Sequence, residues 1–189
     1  MFDSYVPRYG ADSGLKIGNY PTGSYVGFGQ SFTASQTGTV TDASFIIKKV
    51  GSPSGDVKVY LYETTFDGAK YVITPGYIAE SDTISASTLS TTLATTTFSF
   101  SGANQVELTS GNTYAAAVFY WRDSSSNYVE IAYDFSTITH PGNEVSITYI
   151  SSYSYGAYTG YDIPFSVNST DGSGNPVSLA TVSDIVFFE

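Results

Sequence analysis

The segment Asp56–Glu63, DVKVYLYE, constrains the fold more than any other stretch of the chain. Apolar Val57, Val59 and Leu61 alternate with Lys58, Tyr60 and Tyr62. A period of two puts the first set on one face of an extended strand and the second on the other, so the segment predicts a strand of a sheet with one buried face. The preceding Gly51-Ser52-Pro53-Ser54-Gly55 has the composition of a turn. The same logic predicts strands over Tyr25–Thr33, Thr39–Val50, Tyr77–Ile84, Thr95–Phe100, Thr113–Arg122, Asn127–Asp134, Val145–Ile150, Asp162–Asn168 and Ala180–Phe188, separated by Gly, Ser, Asn and Asp clusters. Ser85–Leu93, rich in Ser and Thr, reads as a loop rather than a helical turn. Many strands with turn chemistry between them predict an all-β fold, an antiparallel two-sheet sandwich of jelly-roll-like form. Its expected core is Phe45, Ile47, Val57, Val59, Leu61, Phe98, Phe100, Val118, Val129, Ile131, Ile163, Phe165 and Val186. Residues 1–23, rich in Gly, Tyr, Pro and Asp, read as an extended N-terminal arm with room for one short strand. Residues 24–189 read as a single β-sandwich domain, and a 189-residue chain is long enough to bury a core.

Composition removes several classes of function. Charged residues are 13% of the chain, against about 25% in average domains, and Ser with Thr supplies roughly a quarter of the residues instead. The net charge is −10 with seven basic residues, of which only Lys48 and Lys49 are adjacent. Phosphate backbones and anionic membrane surfaces call for clustered cations, so neither nucleic acid nor a lipid surface is an expected partner. The absence of cysteine excludes disulfides, thiolate metal sites and cysteine nucleophiles. No apolar run approaches the ~18 residues of a membrane span, so membrane insertion is not expected. The N-terminus lacks the basic and apolar regions of a signal peptide, which predicts either a trimmed leader or export without one, as in virion proteins released by lysis.

The order of segments along the chain is distinctive. It runs Phe2-Asp3-Ser4-Tyr5, Gly29-Gln30-Ser31-Phe32-Thr33-Ala34, Ile46-Ile47-Lys48-Lys49-Val50-Gly51-Ser52-Pro53-Ser54-Gly55 and Ala79-Glu80-Ser81-Asp82. Thr97-Phe98-Ser99-Phe100-Ser101-Gly102, Leu108-Thr109-Ser110-Gly111-Asn112-Thr113-Tyr114, Asn127-Tyr128-Val129, Tyr133-Asp134, His140-Pro141-Gly142-Asn143 and Tyr161-Asp162-Ile163 follow. This series resembles an uncharacterised jelly-roll-like β-sandwich module of bacteriophage virion and bacterial surface proteins. The resemblance implies an architecture and a virion or extracellular-surface setting. It implies no catalytic residues. The chain departs from the pattern at Ser151–Tyr161, which is unusually rich in tyrosine.

Catalytic constellations are hard to assemble from these residues. His140 is the only histidine and sits in a turn sequence, with no G-x-S-x-G elbow anywhere, so it reads as a polar turn residue. Glu130 is the best-placed carboxylate for glycoside chemistry, yet mid-strand in NYVEI it reads as a solvated strand face. No enzyme activity and no required cofactor are therefore expected. Calcium is the metal that the oxygen-rich loops could hold, with Asp123, Asp134 and Asn143 as candidate ligands, against the alternative of ordinary Asx turns. The aromatics are the most informative feature: 17 tyrosines, 12 phenylalanines and one tryptophan. Tyrosine has an apolar body and a polar tip, which suits half-buried faces and interfaces. Tyr149, Tyr153, Tyr155, Tyr158 and Tyr161, with Trp121 as a second platform, are the candidate contacts for a glycan or a neighbouring subunit.

Two functions follow as expectations. The first is a structural or assembly protein, a virion component (capsid decoration, fibre or tail) or surface-layer subunit whose partners are like subunits or other virion or surface proteins. The second is a glycan-binding module that uses exposed tyrosines.

Overall fold

The computed structural model describes residues 3–5, 13–19, 25–121, 126–135, 140–149 and 152–170. The expected strand over Ala180–Phe188, the core residue Val186 and the candidate ligand Asp123 lie outside the described residues. The strands are β1 (Asp3–Tyr5), β2 (Ser13–Asn19), β3 (Tyr25–Thr33), β4 (Gly38–Val50), β5 (Asp56–Phe66), β6 (Tyr71–Glu80), β7 (Ile84–Ser85), β8 (Ala94–Ser99), β9 (Glu107–Leu108), β10 (Thr113–Tyr120), β11 (Tyr128–Tyr133), β12 (Glu144–Tyr149), β13 (Tyr153–Tyr158) and β14 (Phe165–Thr170). The described helical structure is two short 3-10 turns, Ala86–Thr88 and Gly102–Asn104. No described helix is long and apolar enough to cross a membrane.

The strands form one large curled antiparallel sheet, in the order β1-β14-β4-β11-β2-β3-β10-β5-β6, with β12 along the edge of β3 opposite β10 and β13 on β12. The expectation of two separate sheets meets a continuous one at β2. Ile17 of β2 pairs with Val129 of β11, and the next residue, Gly18, pairs with Val26 of β3, so hydrogen bonding passes from one limb of the curl to the other. Part of the segment read as an arm is thus an interior strand, and Ile17 is fully buried. β1 lies along β14, with Tyr5 opposite Phe165.

The core sits between the limbs. Phe32 of β3 meets Phe165 of β14 at 5.8 Å between ring centroids, and Phe165 meets Phe45 of β4 at 6.4 Å. The twelve described residues of the expected core all belong to this cluster. β6 differs from expectation: it begins at Tyr71 rather than Tyr77. Its pairing with β5 is irregular between Tyr62 and Thr64, and Pro75, which cannot donate to a ladder, lies in the stretch between their partners Tyr77 and Ile73.

β10, TYAAAVFY, is buried on both faces after its first residue. Tyr114, Ala116, Val118 and Tyr120 face the main core. Ala115, Ala117 and Phe119 face the other way and join Tyr62, Ile73, Val145 and Ile147 in a second apolar cluster. Strand spacing alone would hold β13 about 19 Å from β5 in a flat sheet. Instead Tyr155 of β13 meets Tyr62 of β5 at 6.2 Å between ring centroids, so this limb curls across its own outer face. Asn143 closes one end of that curl, since its Oδ1 accepts from the Tyr71 N–H at 2.7 Å and its Nδ2 donates to the Tyr71 carbonyl at 3.1 Å. Lys70 adds a hydrogen bond to the Ala157 carbonyl at 2.9 Å. Small residues permit the curl: a Cβ at Gly27 would strike the Phe119 ring, and one at Gly29 the Ala116 carbonyl.

Candidate functional site

At the other end of this limb the alternation of the strands assembles an arc of aromatic side chains. Lys58, Tyr60 and Tyr62 occupy the outer face of β5, because Val57, Val59 and Leu61 take the core face. Tyr153 and Tyr155 lie two apart on β13, Tyr149 ends β12, and Trp121 follows β10 directly. Ring contacts then run without a break. Tyr77 meets Tyr60 at 5.0 Å, Tyr60 meets Phe119 at 6.1 Å, and Phe119 meets Trp121 at 4.6 Å. Trp121 meets Tyr149 at 5.8 Å, Tyr149 meets Tyr153 at 4.9 Å, and Tyr153 stacks on Tyr155 at 6.4 Å with 18° between ring planes. The Tyr155–Tyr62 contact completes the series. Phe119 and Tyr62 are the buried floor, whereas Tyr77 and Tyr153 are about half exposed, at 54% and 49%.

The polar tips converge as well. Burial pushes the Tyr62 phenol far above its ordinary pKa, and the phenols of Tyr155, Tyr153, Tyr60 and Tyr77 push it the same way. Burial likewise raises Tyr153, followed by Tyr60, Tyr149, Tyr155 and Tyr77. The ring contacts bring tyrosines of β5, β6, β12 and β13 together. Tyr60 is raised by burial and held back by a hydrogen bond from the Trp121 indole, which can only donate. Raised phenols stay protonated near neutrality, and each O–H can both donate and accept.

One ion pair adjoins the arc. Lys58 Nζ lies 3.1 Å from Glu80 Oε1, with both side chains about one-third exposed or less. Burial alone would lower the Lys58 ammonium, but the hydrogen bond and charge of Glu80 outweigh it and hold the group above its ordinary value.

Of the residues singled out from sequence, Trp121, Tyr149, Tyr153 and Tyr155 come together here. Tyr158 does not, because the strand period puts it on the side of Gly156, away from Tyr153 and Tyr155. Tyr161 belongs to another aromatic group, 5.8 Å from Tyr133, which also meets Phe135 at 5.7 Å. Sequence reasoning missed Tyr60, Tyr62, Tyr77 and Phe119 as members of the arc. The signal was present for Tyr60 and Tyr62, which lie on the non-core face of the cleanest alternation in the chain.

The other candidates are tied into structure. Asp134 is buried and its backbone pairs with that of Asp162, with hydrogen bonds of 2.8 and 2.9 Å. The Asn143 side chain is engaged by Tyr71 and by the Glu144 carbonyl. Among the described residues no group of three or more His, Cys, Asp or Glu is placed to hold a metal ion. His140 Nδ1 accepts from the Gly142 N–H at 3.0 Å and lies 3.2 Å from Gln30 Nε2. Gln30 also donates to Asp162 Oδ1 at 2.9 Å and accepts from the Ile163 N–H at 2.9 Å, so this group pins loops. Glu130 pairs with Lys48 at 2.8 Å. Glu144 is buried, and burial pushes its carboxyl up to about 7. No family model, no curated protein and no solved structure matches the chain.

Proposed function

We propose that the chain is a non-enzymatic glycan-binding module of a virion or extracellular surface, with the aromatic arc as its binding face. The unbroken series of eight rings from Tyr77 to Tyr62 is the observation that carries this reading. Aromatic faces accept the apolar C–H faces of pyranose rings, and convergent phenol and indole groups hydrogen-bond to the surrounding hydroxyls. On this reading the two limbs act as the layers of a jelly-roll-like sandwich, and the curled limb presents the ligand site. Neither a metal nor another cofactor takes part.

The assembly reading would gain from an N-terminal arm left free to lie on a neighbour. Asp3–Tyr5 and Ser13–Asn19 pair with β14, β11 and β3 of their own chain, which leaves that reading with less support than the arc gives to glycan binding. Virion or surface proteins and like subunits are then neighbours in display. The test is calorimetric titration of the full chain with a panel of soluble polysaccharides. Trp121→Ala should weaken binding by about tenfold to a hundredfold, the worth of one stacking platform. A wild-type chain that binds none of the panel defeats the proposal.

A further inference from the structure

Stacking alone discriminates poorly among sugars, so selection falls to the polar groups beside the rings. Two charged side chains, Lys58 and Glu80, stand within electrostatic reach of Tyr60. Tyr62 and Tyr153, by contrast, feel chiefly burial and other phenols. The position of the pair is set by register. Lys58 lies opposite Phe119 on β10, and Tyr60 lies opposite Glu80 on β6, so the ion pair flanks the Tyr60–Phe119 and Tyr60–Tyr77 contacts on the same face. Because the pair is joined at 3.1 Å it presents no net charge, but it still offers a strong donor next to a strong acceptor. That arrangement matches two hydroxyls on adjacent sugar carbons, one accepting from the ammonium and one donating to the carboxylate.

The pair itself offers little to an acidic ligand. A uronate, sulfate or phosphate requires an uncommitted cation, and Lys58 is committed to Glu80. The chain's net charge of −10 adds long-range repulsion toward polyanions. Resting on the glycan-binding reading above, we propose that the Lys58–Glu80 pair is the specificity determinant of the aromatic face, reading adjacent hydroxyls of a sugar stacked beside Tyr60 and Tyr77, and that the ligand class is a neutral polysaccharide.

The experiment measures affinity of the full chain for soluble xyloglucan, galactomannan and dextran as neutral probes and for polygalacturonate as the anionic one. Lys58→Met, Glu80→Gln and the double variant are compared with wild type, with thermal melts to verify folding of each. The expected result is binding of at least one neutral probe and none of polygalacturonate, with a loss of tenfold or more in either single variant. The double variant should lose no more than the worse single, since each partner acts through the pair. Wild-type affinity in both single variants, with Trp121→Ala still defective, overturns the role of the pair and leaves the glycan reading standing. Binding of polygalacturonate as tightly as the best neutral probe overturns the ligand class. Failure of wild type to bind any probe overturns both readings together.

Discussion

The two faces of the β5–β10 region pack into two different clusters. The face toward the main core carries Val57, Val59, Leu61, Ala116 and Val118, all fully buried, with Tyr114 and Tyr120, whose hydroxyls are tied to the Thr109 N–H and the Ser54 carbonyl. The outer face carries Tyr60, Tyr62, Phe119 and Trp121, which pack with Val145 and Ile147 of β12 and with Tyr155 of β13. A core of the first kind has nothing to offer a ligand once it is packed. An aromatic face of the second kind packs with its ring bodies and keeps donors and acceptors at its edge, which is what a binding surface requires. The same strands therefore fold the protein with one face and present chemistry with the other.

The largest expected effect lies on the core face. Phe45 is 1% exposed and touches Phe165, which bridges to Phe32 on the opposite limb. Phe45→Ala should destabilise the chain by about 3–5 kcal/mol, because it removes buried ring surface and leaves a cavity that rigid strands cannot close. Chemical denaturation followed by tyrosine and tryptophan fluorescence measures this. A loss below about 1 kcal/mol, the ordinary cost of an unremarkable substitution, would show that the limbs are not held by this aromatic bridge.

A second test concerns a buried carboxyl, cross-strand from Gln30 and Tyr158. Glu144 is 4% exposed, and burial raises its carboxyl from 4.5 to about 7. The folded chain therefore holds a proton that the unfolded chain releases at lower pH. The stability contributed by the neutral carboxyl is full below about pH 4.5 and is lost as pH rises to about 7, beyond which the loss is constant. A difference of this size corresponds to about 3 kcal/mol. Glu144→Gln, uncharged at every pH, should flatten this part of the stability profile and raise the unfolding midpoint at pH 8 relative to wild type. An identical pH profile in the two proteins would place the titrating group elsewhere.

What the sequence disclosed follows from these same physical differences. Where alternation was clean, as in Asp56–Glu63, both the strand and its core face were legible, and the twelve described core residues were identified from period and residue type. β2 was not marked as an interior strand, because SGLKIGN has only Leu15 and Ile17 as an apolar signal and glycines at both ends. β13 was read as a tyrosine-rich cluster: Tyr153, Tyr155 and Ala157 do alternate, but every apolar position but one is tyrosine, which fits strand and loop alike. Half of the arc was legible for that reason, through Trp121, Tyr149, Tyr153 and Tyr155. Tyr77 and Phe119 were not, since their membership depends on β6 and β10 flanking β5, a strand pairing with no local signature. Tyr158 shows the reverse error, where closeness in sequence to Tyr155 suggested a shared site and strand period separated them.

The smallest expected change in stability lies on the outer face. Tyr153 lies at the exposed edge of the arc, 49% exposed, with Tyr149 at 4.9 Å and Tyr155 at 6.4 Å as its ring neighbours. Tyr153→Ala removes two aromatic contacts but little buried area, so the loss of stability should be about 1 kcal/mol, a shift of roughly 2–4 °C in melting temperature for a chain of this length. Affinity for a bound polysaccharide should meanwhile fall about tenfold, since the exposed ring is available to stack on sugar. The ratio of the two effects is the informative quantity. In Phe45→Ala, stability should change greatly, and affinity should follow only as far as the chain unfolds. In Tyr153→Ala, affinity should change while the fold stays nearly intact. If Tyr153→Ala instead costs as much stability as Phe45→Ala, the outer aromatics are a second hydrophobic core, and the arc is not a surface for any ligand.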